Sequence, residues 1–450
     1  MVKKLLWIPM LWLAVPVTLA PAAVAGAAAG LAGRAAPADV IFNVASPLDA
    51  VDDNPGDGVC HTAPDGPALG ACTLRAATME ANASLGPAVT ILVPAGTYTL
   101  TIAPAGADDD SSGDLNLTTP AGPSVYITIN GAGADSTIIN ANQIDRVLTV
   151  NAGRHATLRG LTLRGGVAQD ALLSGGGVAD KGTLFLDHTS INNNFAAAIG
   201  GGVYAPGSLN VTDSTIGPNN SASDGGGVYS AGSLTLDRST VYGNGANFGA
   251  GIDNDGASLT MINSTLSQNA ANSNGGNCGA IFNSGQASVY NSTILYNSAD
   301  TDPNVSSAAG GVCSSVLGRF NLYDSLLAGN YHANDSSAAN CVGTIHSYVW
   351  NLFETDNPCS DPVVIEEGGW ATLNSLSFIG PLQDNGGPTW THALLNGSDA
   401  INSGDPVNGC MANGGPLTTD QRGTLRPVGA LCDIGAFEYV PPLYIPLLRR

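Results

Sequence analysis

Residues 175–330 carry a repeating pattern of hydrophobic and polar positions with the period of a strand. Short runs alternate apolar and polar residues, as in residues 208–211 and 233–236. Each repeat closes with an aliphatic residue, two variable residues and an asparagine. These asparagines follow one another at steps of 25, 25, 25, 28 and 33 residues: Asn194, Asn219, Asn244, Asn269, Asn297 and Asn330. The alternation predicts strands, and a fixed repeat of this length predicts a solenoid.

A second column, Gly-Gly followed by an aliphatic residue, precedes the asparagines, for example at residues 176–178 and 201–203. Glycine in register permits sharp bends between sheets. Asparagine in register predicts an internal amide ladder between coils about 4.8 Å apart. One repeat cannot bury its own apolar side, so stacking must form the core. We predict an all-β, right-handed, single-stranded parallel β-helix with N- and C-terminal caps, and its handedness follows from the rule for parallel crossovers.

The two columns together resemble the repeat of polymorphic outer-membrane-protein adhesins. Aliphatic residues stand here where that family often has phenylalanine. The resemblance covers the coils only, and it implies an adhesive role for the solenoid.

Composition and charge narrow the range of partners. The 450 residues have a formal net charge of −21 with only 11% charged residues, 58 glycines and 6% aromatic residues, a profile typical of β-solenoids. Lysine occurs at three positions: Lys3, Lys4 and Lys181. So acidic a surface argues against nucleic acid and anionic membranes as partners, and it repels polyanionic glycans unless divalent cations bridge them.

The two ends of the sequence carry targeting signals or flexible segments. Residues 1–25 are predicted to be a secretory signal peptide, with Lys3 and Lys4 ahead of an apolar stretch and a small-x-small cleavage site. A retained anchor helix is the alternative, which three prolines disfavour. Residues 26–39 form a flexible lead-in. The tail, residues 440–450, is either a sorting signal or a disordered end, and is far shorter than the ~20 residues that span a bilayer. We therefore expect a secreted protein, free or attached to the cell surface, with no transmembrane span in the mature chain.

Eight cysteines in an exported chain predict disulfide bonds. They fall in four local pairs, although the sequence alone does not prove the connectivity: Cys60 and Cys72, Cys278 and Cys313, Cys341 and Cys359, Cys410 and Cys432. Zinc is the competing interpretation, and the spacings C-x-x-C and H-x-x-x-H that would support it are absent.

Residues 40–120 are predicted to form the N-terminal cap, with a short helix that opens at residues 72–77 and runs to residue 83. This opening resembles the Cys-Ser-Leu-Arg-Glu-Ala motif of bacterial surface proteins, with Thr73 and Ala76 as departures. Residues 113–118 and 145–147 resemble further landmarks of that family, which is defined by its cap and implies little about chemistry. The acidic segment 52–58 favours a turn over a calcium loop, because Pro55 occupies a ligand position and the distal glutamate is missing. No cofactor is predicted, with calcium as the alternative.

The period fades after residue 330, so we assign residues 121–345 to the β-helix and residues 346–439 to a C-terminal cap. Five motifs resemble the choice-of-anchor domain of bacterial secreted proteins, and they lie at residues 382–395, 398–401, 420–423, 426–427 and 432–438. Such domains commonly precede a surface-sorting tail.

Parallel β-helices host polysaccharide lyases and hydrolases, so catalysis must be tested against the residues present. A hydrolase needs two carboxylates, one of them protonated, and lyases of this fold usually need a cationic base. Residues 167–345 contain no glutamate, and their basic residues are Lys181, Arg238 and Arg319. Asp213 is predicted to pair with Arg238 of the next coil, and Asp253 with Asp255, the best carboxylate pair, is assigned to a turn. We predict no catalytic residue and no metal ligand.

Aromatic residues provide the one positive binding feature. Tyr204 and Tyr229 occupy the same column, and Phe282 aligns with them. A stacked aromatic row can bind sugar rings, although packing alone would also explain it. The leading hypothesis is a non-catalytic secreted or cell-surface β-helix that is adhesive, glycan-contacting or structural, with a polysaccharide or cell-surface ligand. The alternative is a pectate-lyase-like polysaccharide lyase or a glycoside hydrolase.

Overall fold

The computed structural model describes residues 39–84, 86–105, 109–118, 126–169, 174–272, 278–299, 308–333, 337, 339–354, 359, 364–367 and 370–442. The predicted signal peptide (1–25), nearly all of the lead-in (26–39) and the last eight residues of the tail lie outside these ranges. The helices of the described part are too short or too polar to cross a bilayer.

The described chain winds through four parallel sheets, which confirms the predicted parallel β-helix. Sheet 1 contains Val40–Asn43, Ala88–Val93, Tyr126–Gly131, His155–Arg159, Thr183–Asp187, Ser208–Thr212, Ser233–Asp237, Ser258–Ile262, Gln286–Tyr290, Arg319–Tyr323, Ile345–Tyr348 and Val364–Glu367. Sheet 2 contains Gly96–Thr99, Thr137–Asn140, Thr162–Arg164, Ser190–Asn192, Thr215–Ile216, Thr240–Tyr242, Thr265–Ser267, Thr293–Leu295, Leu326–Ala328, Asn351–Phe353 and Trp370–Thr372.

The coil continues through two further sheets before it returns to sheet 1. Sheet 3 contains the short strands Val167–Ala168, Phe195–Ala196, Asn220–Ser221, Gly245–Ala246, Ala270–Ala271, Ser298–Ala299 and Tyr331–His332. Sheet 4 contains Leu115–Leu117, Leu148–Val150, Val178–Asp180, Val203–Ala205, Val228–Ser230, Ile252–Asn254, Ile281–Asn283, Val312–Ser314 and Cys341–Val342. Aliphatic side chains from successive coils meet inside in one continuous core, as stacking of short repeats requires.

The predicted asparagine ladder is confirmed. Asn194 donates from its side-chain amide to the Asn219 side-chain oxygen at 3.0 Å, and the same bond recurs from coil to coil until Asn330 donates to Asn340. The amides along the ladder are almost fully buried, for example at Asn244. Each donor and acceptor is therefore satisfied by the neighbouring coils, which a buried amide requires.

The glycine column is explained by close backbone approach. Gly200 has a φ of +69°, which side-chain-bearing residues rarely adopt. A Cβ on Gly201 would lie 2.2 Å from the Asn220 carbonyl oxygen of the next coil. A side chain at Gly201 would therefore require the backbone of the adjacent coil to move.

A second column marks the bend between sheet 1 and sheet 2. One residue per coil adopts a φ of 43° to 49°, and we call these six residues the bend column: His188, Asp213, Arg238, Asn263, Asn291 and Asp324. From Asp213 onward a serine follows each bend-column residue, and its hydroxyl oxygen accepts a backbone N–H of the preceding coil, as Ser214 does for Thr189 at 3.0 Å. The bend column points its side chains outward along one flank.

The solenoid strands extend past residues 121–345 at both ends. Val40–Asn43 and Ala88–Val93 pair in sheet 1, although a long insertion separates them in sequence and obscures the period. The inserted helix, Leu74–Ala83, places Leu74, Ala77 and Ala81 in the core. Its residue Arg75 is buried, donating to Asp49 at 2.7 Å and to the Gly113 carbonyl at 2.7 Å.

Four disulfide bonds join the cysteines in the local pairs seen in the sequence: Cys60–Cys72, Cys278–Cys313, Cys341–Cys359 and Cys410–Cys432. The cysteines of the chain are all consumed in these bonds. Cys60–Cys72 ties the acidic loop to the start of the helix, where Thr73 caps the helix by accepting the Ala76 N–H at 3.1 Å.

Residues 373–442, here called the C-terminal segment, contact the flank of the solenoid along sheet 2 and the bend column. The segment contains a 3-10 turn, Leu376–Phe378, and two antiparallel hairpins, Ile379–Gln383 with Thr391–Leu394 and Met411–Ala412 with Gly415–Pro416. Outward residues of sheet 2 and apolar residues of the segment form a second core: Leu295, Leu326, Ala328, Leu352, Leu373, Ile379, Leu394, Ala400, Ile434 and Phe437. The region assigned to a cap at residues 346–439 therefore includes the last coils and a cover for the flank.

Arg426 fixes the C-terminal segment to the bend column. Its guanidinium donates to the side-chain oxygens of Asn263 and Asn291 at 3.1 and 3.0 Å, and to Glu438 at 3.0 Å. Arg426 and Glu438 are both buried, so each needs the other. Asn263 and Asn291 begin Asn-Ser-Thr sequences, but their burial here makes them structural residues.

Candidate functional site

The predicted binding residues lie on the outer face of sheet 4. Tyr204, Tyr229, Asp253 and Phe282 are the central residues of successive strands and are directly paired by register. Their neighbours within each strand, such as Val228 and Ser230, are fully buried on the inner side. The column predicted for Tyr204, Tyr229 and Phe282 is therefore present, with an aspartate inserted between the second and third members.

The two tyrosines form a stack that the phenylalanine does not extend. Rings of Tyr204 and Tyr229 lie 5.8 Å apart between centroids, at 27° to one another. Phe282 instead packs edge-on against Phe248 at 6.4 Å and contacts the cluster around the Cys278–Cys313 disulfide. Asp253 interrupts the row, so a continuous three-ring platform does not form.

Carboxylates surround the second tyrosine. The Tyr229 hydroxyl donates a hydrogen bond to Asp255, which also accepts from the Ser284 hydroxyl at 3.2 Å. Asp224 accepts from the Ser223 hydroxyl at 2.9 Å. We call Tyr204, Tyr229, Asp224, Asp253 and Asp255 the acidic tyrosine face.

Asp253 is the unusual member of this face. It is only 4% exposed, and its Oδ1 has no hydrogen-bond partner among the described residues. Burial, reinforced by the nearby charges of Asp224 and Asp255, raises the pKa of Asp253 to about 8. Its carboxyl group is therefore mostly protonated at neutral pH.

The assignment of Asp253 to a turn is wrong, because the residue sits in the strand Ile252–Asn254. Asp255 follows the strand directly and is exposed at the bend. The sequence pattern misled because Asp-Asn-Asp is a turn-forming composition, whereas the pairing with flanking strands in sheet 4 overrides that local preference.

Of the three basic residues in residues 167–345, Arg238 and Arg319 are engaged by neighbouring side chains, whereas Lys181 is exposed. Asp213 accepts from Arg238 at 2.9 and 2.8 Å, which confirms the predicted pair, and Arg238 also donates to Asp237 at 2.7 Å. Arg319 donates to Asn321 at 3.0 Å and to the Tyr348 hydroxyl. An arginine held by two carboxylates is a poor proton acceptor, since both partners stabilise its charged form.

Two groups of residues have the composition of metal ligands. In the acidic loop, Asp52 accepts the Asn54 and His61 N–H groups at 3.0 Å, and Glu80 accepts those of Gly56 and Gly58. These carboxylates thus hold the loop closed, and calcium binding there stays an untested alternative. A separate group, Asp187, His188 and Asp213, brings one ligand atom each within 4.8 Å of the others.

A second aromatic row is not apparent from the sequence. Tyr290, Tyr323 and Tyr348 stack on sheet 1 with centroid distances of 4.5 and 4.9 Å and interplanar angles of 13°. Each tyrosine ends its sheet 1 strand, just before the bend. In the sequence, Tyr290 and Tyr323 each lie two residues before the serine that follows a bend-column residue. The coil lengths vary in that region, however, so the sequence does not reveal that these tyrosines share a register.

Comparisons with known proteins do not identify the chain. No family model matches it, and no curated protein matches it. A crystal structure of pectate lyase Pel9A is similar over 89% of this chain and 97% of that chain, with 12% sequence identity and a TM-score of 0.43. A similarity at this level carries no inference about function.

Proposed function

We propose that this protein is a secreted or cell-surface β-helix that contacts polysaccharide through the acidic tyrosine face and has no catalytic role. The observation that carries the proposal is the Tyr204–Tyr229 stack on the outside of sheet 4. Aromatic rings offer apolar faces to sugar rings, and polar groups beside them can accept hydrogen bonds from sugar hydroxyls.

The charges of this face indicate which glycans suit it. Asp224 and Asp255 flank Tyr229 and would repel uronate chains, whereas neutral sugars can donate hydroxyl hydrogen bonds to them. The formal net charge of −21 acts in the same direction over the whole surface. Neutral polysaccharide is therefore the proposed ligand.

The burial of Asp253 argues against catalysis. A general acid must reach the bond that it protonates, but Asp253 Oδ1 is buried and the residue is 4% exposed. The Arg238 guanidinium is already held by Asp213 and Asp237, so it is unsuited to act as the base of a lyase. These contacts favour a binding surface over an active site.

The test is retention of purified protein on a panel of insoluble neutral and acidic polysaccharides, with affinity measured by depletion from solution. Removal of both rings by Tyr204→Ala and Tyr229→Ala should weaken binding to the retained glycan at least tenfold, since each stacked ring contributes about 1 kcal/mol or more. Phe185→Ala is the matched control, because Phe185 is an exposed aromatic residue of sheet 1. Equal retention of the double variant and the parent would refute the proposal.

A glycoside hydrolase is the second candidate, and one observation favours it. Asp253, protonated at neutral pH, lies near the Asp255 carboxylate, and hydrolases use one protonated and one ionised carboxyl group. Release of new reducing ends from a neutral polysaccharide, lost in both Asp253→Asn and Asp255→Asn, would establish this function in place of the first.

Extracellular placement and cell attachment complete the proposal. The four disulfide bonds fit an oxidising compartment, and residues 1–25 would direct export. We further propose that the cap around Arg75 is of the Cys-Ser-Leu-Arg-Glu-Ala type and that residues 346–439 are a choice-of-anchor domain. Mass spectrometry of the mature protein from culture medium and from cell-wall fractions would test cleavage near residue 25 and attachment.

A further inference from the structure

A cleft of about 460 Å³ opens where the C-terminal segment stops covering the bend column. One wall carries the bend-column residues His188 and Asp213, and the opposite wall carries Asp384 and Trp390 of the C-terminal segment. Tyr242 of sheet 2 and Asp135 also line it. The cleft and the acidic tyrosine face belong to different parts of each coil, which sheet 1 separates.

Two aromatic rings form the apolar part of this cleft. Tyr242 and Trp390 lie 5.5 Å apart between centroids, inclined at 33°. The Trp390 carbonyl accepts the Thr240 hydroxyl at 2.7 Å, which fixes its backbone, while the residue is still 46% exposed. A tryptophan that is nearly half exposed on a fixed backbone can contact a ligand without rearrangement of the backbone.

The charges around the rings are acidic. Asp135 and Asp384 are exposed, and Asp384 accepts only the Gly386 N–H, at 2.9 Å, among the described residues. Asp213 is already neutralised by Arg238. The described residues that line the cleft include no lysine or arginine. A cationic ligand would therefore meet two available carboxylates, while the Arg238 guanidinium beside the cleft is paired with Asp213 and Asp237.

Aromatic faces and carboxylates together select for an organic ammonium group. The ring quadrupole attracts a cation over its face, most strongly at tryptophan, and each carboxylate adds a modest Coulomb attraction at this exposed site. Ser190 and Thr215 add hydroxyl groups to the same cleft. These groups can hydrogen-bond the remaining hydroxyls of a sugar.

We propose that this cleft binds a saccharide unit that carries a free amino group. The Trp390 ring would stack on the sugar, and Asp135 and Asp384 would bind its ammonium group. The proposal extends the glycan-contacting role to a second surface, and its test does not require the acidic tyrosine face to bind anything.

The test compares two tetrasaccharides with the same backbone, one of glucosamine and one of N-acetylglucosamine, by titration calorimetry at a pH where the amines are protonated. The free-amine tetramer should bind at least tenfold more tightly, and added salt should weaken it because exposed charges are screened. Trp390→Ala should reduce binding of the free-amine tetramer at least tenfold. Asp384→Asn combined with Asp135→Asn should remove the discrimination between the two tetramers.

Two control variants show whether the effect is specific to this cleft. Trp350→Ala removes another partly exposed tryptophan, which lines a different pocket, and should leave binding unchanged. The Trp390→Ala comparison is repeated in the Tyr204→Ala/Tyr229→Ala background, where the acidic tyrosine face can no longer contribute, so the two proposals fail independently. Equal affinity for the two tetramers, or full binding by Trp390→Ala, would overturn the proposal. So would binding that needs a divalent cation and is lost in His188→Ala, which would assign the site to a metal instead.

Discussion

Sheet 2 and the bend column contain an open stretch and a covered stretch. The two have the same backbone conformation, and they differ in whether the C-terminal segment packs over them. Around His188 and Asp213 the flank is open, and the strands Ser190–Asn192 and Thr215–Ile216 keep partly exposed residues. Around Asn291 the C-terminal segment covers the flank, and the strands Thr265–Ser267, Thr293–Leu295 and Leu326–Ala328 are buried on both faces.

The difference shows how one repeat serves two purposes. The bend geometry is the same in both stretches, with φ between 43° and 49°, so the backbone does not depend on the cover. The outward side chains do change: buried asparagines bind Arg426 in the covered stretch, whereas His188 and Asp213 face a cleft in the open stretch. The buried inner columns thus determine the conformation of each coil. The outward side chains of the flank can therefore vary and take part in binding or docking.

The largest expected loss of stability comes from a substitution that detaches the C-terminal segment from the covered stretch. Arg426→Met leaves Glu438 buried without its partner and should lower the free energy of unfolding by about 3–5 kcal/mol. It should also expose the C-terminal segment to limited proteolysis. Arg159→Met is the matched control in the open stretch, since Arg159 is 59% exposed in its pair with Asp187 and should cost at most about 1 kcal/mol. Similar losses for the two variants would contradict the comparison.

A pH dependence should distinguish the covered stretch next. The pKa of Asp324 is raised to about 7, mainly because the carboxyl group is buried. A carboxyl group whose pKa rises on folding contributes full stability below its unfolded value near 4, and that contribution is lost as the pH rises from about 4 to about 7. The loss for Asp324 amounts to about 4 kcal/mol.

The measurement is the unfolding free energy of the parent and Asp324→Asn at pH 4.5 and pH 8. The variant keeps an oxygen for the Asp405 N–H, now bound at 2.9 Å, and lacks the titrating group. Its stability should therefore fall less between the two pH values than that of the parent. An unchanged pH dependence would show that Asp324 does not titrate as its burial implies.

A smaller effect is expected at a single amide of the covered stretch. Asn291→Ala removes an acceptor for Arg426 and the donor to the Met411 carbonyl at 3.0 Å. The cost should be about 1–3 kcal/mol, because partners are left buried and unsatisfied. Chemical denaturation of Asn291→Ala beside His188→Ala measures it, with a loss near zero expected for the exposed histidine.

The smallest effect concerns stability at the acidic tyrosine face. Tyr229→Phe removes only the hydrogen bond to the exposed Asp255. The free energy of unfolding, measured by thermal denaturation, should therefore change by less than about 1 kcal/mol. A larger loss would show that the Tyr229–Asp255 hydrogen bond stabilises the fold and is not merely a surface contact.

The structural features that recur from coil to coil could be predicted from the sequence, whereas contacts between distant segments could not. The asparagine ladder, the glycine bends and the Asp213–Arg238 pair follow from residues that recur at a fixed spacing. Arg426 binds Asn263, which lies 163 positions earlier, and no local pattern encodes a contact at that separation. The cleft between Asp213 and Trp390 was hidden for the same reason, because its walls come from distant segments.

Phe282 and Asp253 show a second limit. The column of Phe282 was correct, but the ring turns to Phe248 because its preceding rung is an aspartate and its following rung is the half-cystine Cys313. Register predicts which residues share a column. It does not predict which neighbour a side chain packs against when the column contains residues of different chemical types.

The most direct test of the central claim is to measure binding and turnover together on one neutral polysaccharide that retains the protein. The parent, the Tyr204→Ala/Tyr229→Ala variant and Asp253→Asn would be compared for affinity and for new reducing ends. The account predicts retention without turnover by the parent, weakened retention by the tyrosine variant, and unchanged retention by Asp253→Asn. Turnover by the parent that disappears in Asp253→Asn would contradict it and make the acidic tyrosine face an active site.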